Sequence, residues 1–216
     1  MTNKYKLLIF DVDGTLADTD KMLIETYRTL YELYSPNVKL DESKVIGFSG
    51  PPLRETLSTE FPLYDPEFMV KEYKKYSRPN YVKYVTPFLN TRELLLGLKA
   101  AGYILTIATS KMHEATLYTL DLLNLNDIFT SIVSSDDVVN PKPDKESVEI
   151  LRKEYNISKE ETLFIGDTKY DVICATSAEV DSVIMTYKAR VLGEGVTPTY
   201  FATSSSELAK LLNVKL

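Results

Sequence analysis

Cysteine and histidine occur once each in the 216 residues, as Cys174 and His113. A single thiol cannot form an internal disulfide, and a single imidazole excludes any metal site or acid-base relay that needs two. Long apolar runs are missing too. The most apolar stretch, Leu94 to Ala108, is broken by Gly97, Lys99 and Gly102, well short of the roughly 20 apolar residues that a membrane span needs. Basic residues never cluster beyond pairs, and 25 of them against 31 acidic residues leave a formal charge of −6. General attraction to nucleic acid or to an anionic membrane is therefore not expected. Neither Gly-x-Gly-x-x-Gly nor Gly-x-x-x-x-Gly-Lys-Ser/Thr occurs, which removes the fingerprints of dinucleotide and nucleotide-phosphate loops. Met1 to Lys6 lead straight into Leu7-Leu8-Ile9-Phe10 with no small-residue cleavage site. With the unpaired cysteine, this predicts a cytoplasmic protein.

What is present is an ordinary globular composition, 44% hydrophobic and 26% charged, long enough for one domain or one domain with an insertion. Short, continuous apolar runs recur at Leu7 to Phe10, Tyr103 to Ala108, Phe129 to Val133, Leu163 to Ile165 and Val183 to Met185. Unbroken apolar runs suit strands covered on both faces, as in a parallel sheet. Helical patterns lie between the later runs, such as Val148, Leu151 and Tyr155 after Pro143-Asp144. The alternation predicts an α/β fold, a Rossmann-like doubly wound parallel sheet.

About 90 residues separate the first run from the second, far more than one crossover requires. Leu23, Tyr27, Leu30, Tyr31 and Tyr34 recur there at helical spacing, as do Met69, Tyr73 and Tyr76, with Pro51-Pro52, Pro62, Pro66 and Pro79 marking the connections. Residues 18–85 are read as an inserted helical cap domain and residues 1–17 and 86–216 as the core. Asp18, Thr19 and Asp20 are assigned as caps of the first inserted helix. Asn90, three before Glu93, opens the helix that returns to the core, and Gly102 closes it.

Ligands of doubly wound sheets bind beyond the carboxyl ends of the strands. The polar clusters that end the apolar runs are Asp11-Val12-Asp13-Gly14-Thr15, Thr109-Ser110-Lys111, a loop reaching Lys142, and Gly166-Asp167 with Asp171 one helical turn on. Asp11 and Asp13, two apart, face one side of an extended segment, and like charges at such separations repel by about 4 kcal/mol at an effective dielectric near 20. Something positive must join them, or one must hold a proton. Asp167 and Asp171 add negative charge, and hard oxygens without histidine or cysteine partners suit Mg²⁺ better than zinc. Lys142 supplies the further positive charge that a phosphate dianion would need.

These residues, in this order, resemble the four motifs of the haloacid-dehalogenase-like hydrolases: Asp11-Val-Asp-Gly-Thr-Leu16, Thr109, Lys142-Pro143 and Gly166-Asp167-x-x-x-Asp171. The position of the insertion resembles the helical-cap subgroup. Ile46-Gly47 with Pro52-Leu53-Arg54-Glu55-Thr56-Leu57 is similar to the cap loop of the phosphoglycolate-phosphatase-like branch. The resemblance implies that Asp11 is a nucleophile forming an aspartyl-phosphate and that Asp13 is the acid and then the base. It further implies that Thr109 binds phosphoryl oxygens and that Lys142 neutralises the phosphoryl group. Asp11, Asp13 through its carbonyl, and Asp167 would hold Mg²⁺, with Asp171 as an outer ligand or as the partner orienting Lys142. Gly14 and Ser110 would complete the phosphate cradle, and Arg54 would contact the far end of the substrate.

The expected activity is Mg²⁺-dependent hydrolysis of a small phosphorylated metabolite, phosphoglycolate-like in character. A sugar-phosphate mutase on the same scaffold is the neighbouring alternative. A phosphoacceptor signalling module is the alternative from another class, disfavoured by the length of the chain and by the insertion. Two departures from the family pattern stand out: Lys145 replaces the second proline of Lys-Pro-x-Pro, and Ser110 replaces the asparagine that commonly follows Thr109.

Overall fold

The computed structural model describes residues 4–216. β1 (Leu7–Phe10) leads through a tight loop into β2 (Ala17–Asp18), and four helices follow: α1 (Asp20–Tyr34), α2 (Glu42–Ile46), α3 (Leu53–Glu60) and α4 (Pro66–Tyr84). The chain returns through β3 (Thr86–Pro87) to α5 (Thr91–Ala100), β4 (Ile104–Ala108), α6 (His113–Leu122) and β5 (Ser131–Val133). It ends in α7 (Glu146–Tyr155), β6 (Thr162–Gly166), α8 (Lys169–Ser177), β7 (Asp181–Met185), β8 (Tyr200–Ala202) and α9 (Ser205–Leu211).

Six strands form one parallel sheet in the order β5-β4-β1-β6-β7-β8. The central strand β1 has no solvated face. Leu8 and Phe10 join one hydrophobic cluster with Leu95 of α5 and Leu208 of α9, while Leu7 and Ile9 join another with Val148 of α7 and Cys174 of α8. Helices on both sides thus explain why the strand sequences are continuously apolar. The doubly wound parallel architecture expected from the sequence is the observed one. The edge strand β8 escaped the sequence reading because it is three residues long and leaves Phe201 exposed, too short and too mixed to register as an apolar run.

The helices α1 to α4 carry their own cluster, built from Tyr27, Leu30, Leu57, Phe61, Met69 and Tyr73 among others. Tyr27 meets the rings of Phe48, Phe61 and Tyr73 at centroid separations of 4.8, 6.5 and 5.7 Å, so this core is aromatic where the sheet's is aliphatic. The insertion is entered and left through β2 and β3, which pair antiparallel as Ala17 with Pro87 and Asp18 with Thr86.

Three local expectations need correction. Pro79 lies inside α4 and does not end a helix. The proline removes one backbone bond, and packing against α1 carries the helix through, with Asn80 Nδ2 donating to Thr26 Oγ1 of α1 at 3.1 Å. Asn90 precedes α5 but adopts a left-handed conformation, φ 61°, and its side chain makes no cap bond. Thr19 makes no side-chain cap bond either, and Asp18 and Asp20 are engaged elsewhere, as described below.

Candidate active site

The loop after β1 is shaped by its backbone. Asp11 N donates to Ile165 O at 2.9 Å, which holds the end of β1 against β6, and Val12 O accepts from Leu16 N and Ala17 N at 2.9 and 3.0 Å. Gly14 turns the loop with φ +76°, and a Cβ there would stand 1.9 Å from Asp167 Oδ2. Both the dihedral and the close approach therefore require glycine. Gly166 serves the neighbouring strand end likewise, since its Cβ would meet Asp171 Cγ at 2.3 Å.

Three strand ends then converge. Asp11, Asp167 and Asp171 are all buried, and each offers a carboxylate oxygen within 4.8 Å of the other two. Lys142, from the loop after β5, donates to Asp171 Oδ1 at 2.6 Å and stands 3.1 Å from Asp11 Oδ1. The other oxygen of Asp171, Oδ2, accepts from Asp167 N, Thr168 N and Thr168 Oγ1 at 3.2, 2.9 and 2.8 Å. Asp171 is thus saturated at the start of α8, and its place is to hold Lys142. Burial opposes the ammonium charge of Lys142, yet Asp11 and Asp171 outweigh it and hold its pKa above the ordinary value.

The carboxyl groups remain short of positive charge. Burial pushes the pKa of Asp11 up to about 6 despite Lys142. It drives Asp167 well above its usual range despite Arg190, whose Nε donates to Asp167 Oδ2 at 2.8 Å. Asp167 Oδ1 is buried with no hydrogen-bond partner, and Asp11 Oδ1 has only the ion-pair contact with Lys142; Thr15 Oγ1 after β1 and Ser110 Oγ after β4 are likewise buried without a partner. Buried polar atoms left without a hydrogen bond carry a cost unless a ligand completes them. The donor set, hard oxygens with excess negative charge, fits a divalent cation such as Mg²⁺.

Thr109 ends β4, with its backbone N donating to Val133 O at 3.1 Å and its Oγ1 accepting from Lys111 N at 3.3 Å. Asp13 does not join the other carboxylates. Its two oxygens accept from Lys111 Nζ at 3.0 and 2.8 Å, so its side chain belongs to the cavity between the core and the helical insertion. That cavity is lined by Asp13, Ser110 and Lys111 from the core and by Phe48, Leu53 and Tyr73 from the insertion, among others.

Arg54 is not brought to this place. It lies on the exposed side of α3, its Nε 2.6 Å from Glu67 Oε1 of α4, with both side chains mostly in solvent. It follows Leu53, the helix residue that does line the cavity, and successive residues of a helix face different directions.

Two site residues were missed by sequence reasoning. Lys111 stood in a quoted polar cluster but was given no partner. Arg190 lies just beyond β7 and bonds Asp167 and, through Nη2 at 2.8 Å, Asp20 of α1. The rule that ligands gather at strand ends, applied also after Met185, would have found it. Lys188 pairs with Asp18 at 2.5 Å and Asp20 at 3.1 Å. Those carboxylates, read as helix caps, chiefly tie the base of the insertion to the loop after β7, although Asp18 Oδ1 also accepts from Asp20 N at the start of α1 at 3.4 Å.

A family model described as haloacid dehalogenase-like hydrolase matches residues 8–185. The chain belongs to the haloacid dehalogenase-like hydrolases. As a member it is an enzyme, and its relatives in this family agree with that. It is similar to the pyrophosphatase PpaX of Halalkalibacterium halodurans, 32% identical over 215 residues that cover 96% of this chain and 97% of that protein. A Bacteroides fragilis structure provisionally described as a haloacid dehalogenase-like hydrolase superposes with a TM-score of 0.86 at 25% identity, covering 95% of this chain and all of that one. A Thermotoga maritima structure provisionally described as a β-phosphoglucomutase superposes at 0.76, also at 25% identity, covering 97% of this chain and all of that one. Among the described residues, no helix is long and apolar enough to cross a membrane.

Proposed function

We propose that this haloacid dehalogenase-like hydrolase is a Mg²⁺-dependent phosphatase of small phosphorylated metabolites, working in the cytoplasm through an aspartyl-phosphate. At the coarser level it is a phosphatase of its family. The single observation that carries the finer reading is the convergence of Asp11, Lys142, Asp167 and Asp171, with a buried, unpartnered oxygen on Asp167 beside the Asp11 oxygen that meets Lys142.

Asp11 would attack phosphorus with a carboxylate oxygen, forming an oxygen–phosphorus bond as the bond to the leaving oxygen breaks. Asp13 would give that oxygen its proton. Water would then add to phosphorus and return a proton to Asp13 as the Asp11–phosphorus bond breaks, releasing inorganic phosphate. Lys142 offsets charge on Asp11 and on the phosphoryl oxygens, while Thr109, Ser110 and the backbone around Gly14 position those oxygens. Asp11 and Asp167 would hold Mg²⁺ with the Asp13 carbonyl, and Asp171 acts through Lys142. The bound cation would neutralise phosphoryl charge. Residues 18–85 serve as the cap that excludes water from the cavity.

Phosphoglycolate and pyrophosphate are the substrates to try first, the former from the sequence pattern and the latter because of the PpaX relative. The superposition on the Thermotoga maritima chain favours a mutase as second reading, in which a sugar hydroxyl replaces water as acceptor. The deciding measurement is phosphate release from p-nitrophenyl phosphate with Mg²⁺, with EDTA, and with Asp11→Asn. Release should disappear in the last two, by at least about 1,000-fold for the nucleophile variant. Undiminished release by Asp11→Asn would sink the reading, and an isomerised sugar phosphate without net phosphate would favour the mutase.

A further inference from the structure

We propose that Lys111 selects substrates whose leaving group carries its own oxyanion, an inference that rests on the phosphatase reading above. The side chain is 7% exposed and ends in the cavity between core and insertion. Its Nζ bonds both oxygens of Asp13 and otherwise meets the ring face of Tyr81, 5.0 Å from the centroid. The walls around it are largely apolar, with Phe48, Leu53, Tyr73 and Tyr81 contributing. Lys74 also lines this cavity, but it is half exposed and pairs with Glu114 at 3.3 Å. Lys142 and Arg190 are committed to the carboxylate cluster. Lys111 is therefore the buried cation that faces an entering leaving group.

An ammonium carries three N–H groups and each carboxylate oxygen keeps a spare lone pair. Lys111 can therefore hold Asp13, leave it free to meet the leaving oxygen, and still have an N–H with no oxygen partner among the described residues, only the ring of Tyr81 beside it. That N–H lies among largely apolar walls, where a charged donor without an acceptor is costly. A carboxylate or a second phosphate on the leaving group accepts it, and a neutral leaving group offers no such anion. Ser110, given above to the transferring phosphoryl group, is 5% exposed, lines the same cavity and has an Oγ without a partner, so the phosphoryl group and its leaving group share this cavity with Lys111. The preference arises because the nitrogen that holds Asp13 also offers its remaining N–H to the oxyanion.

The test separates this inference from the phosphatase reading by measuring binding as well as turnover. In Asp11→Asn protein with Mg²⁺, calorimetry compares 2-phosphoglycolate and pyrophosphate with methyl phosphate, whose leaving group is neutral. At least one anionic ligand should bind about tenfold more tightly than methyl phosphate, and which one does so identifies the oxyanion. Adding Lys111→Met should shrink that preference to less than about threefold, and Lys111→Arg should restore most of it. Equal affinities for all three ligands, or an equal loss for all three in Lys111→Met, would overturn the proposal by assigning Lys111 only to holding Asp13. A preserved, Lys111-dependent binding preference without phosphate release from any ligand by the unmodified enzyme would uphold it and defeat the phosphatase reading.

Discussion

The sheet core and the helical insertion solve opposite problems with opposite side chains. The core packs aliphatic residues into a parallel sheet whose register is fixed along whole strands, and it buries Asp11, Lys142, Asp167 and Asp171 at the strand ends. The insertion packs aromatic rings around Tyr27 and Phe61, and the ion pairs among its own helices keep their cations largely in solvent, as at Arg54–Glu67 and Lys44–Glu60. Buried charges must be held within tenths of an ångström to offset their desolvation, which a strand end locked by backbone bonds provides. Among the described residues, no such cluster forms within the insertion's own helices, whose buried Asp20 is paired from the core by Arg190, and its contribution to the cavity is mainly shape.

The sharpest way to break this comparison is to remove a charge from the core. Lys142→Met leaves Asp11 and Asp171 facing each other without their shared cation, and a loss of about 3–5 kcal/mol in unfolding free energy is expected, with turnover falling at the same time. Urea unfolding followed by circular dichroism measures the first and phosphate release the second. A variant as stable as the parent would mean that the cluster does not depend on its lysine. A smaller and more local effect is expected in the insertion. Leu57→Ala empties a fully buried site among rings and should cost about 3 kcal/mol. Hydrogen exchange should rise first in α1 to α4 while the sheet stays protected; uniform loss across the sheet would show that the two cores unfold as one. Smallest of all is Arg54→Ala, which removes an exposed ion pair worth less than about 1 kcal/mol. Its KM should stay within about twofold, and a larger rise would return Arg54 to substrate contact.

The same contrast explains what was legible in the sequence. Residues of the sheet and its ends, from Leu7 to Asp11 and from Leu163 to Asp167, could be read because unbroken apolar runs and the polar residues that stop them mark strand ends directly. The cap reading of Asp18 and Asp20 missed their main partners, Lys188 and Arg190, which lie some 170 residues away, because no local pattern announces a long-range ion pair. Asp13 was placed with Asp11 by spacing alone. The structure turns its carboxylate to Lys111, a choice made by the cavity wall. Arg54 shows the limit of helical reasoning: without knowing which face of α3 is covered, a guanidinium near a cavity cannot be told from one in water.

The ribbon of β2 and β3 gives the molecule a seam. The chain enters the insertion past Ala17 and leaves it before Pro87, and these two residues sit side by side in the ribbon, so everything between them departs from and returns to nearly one point. A segment attached in that manner can be lengthened, exchanged or pared away by recombination without severing any strand of the sheet. New selectivity can therefore be grafted at the seam while the reacting groups stay where the strands put them.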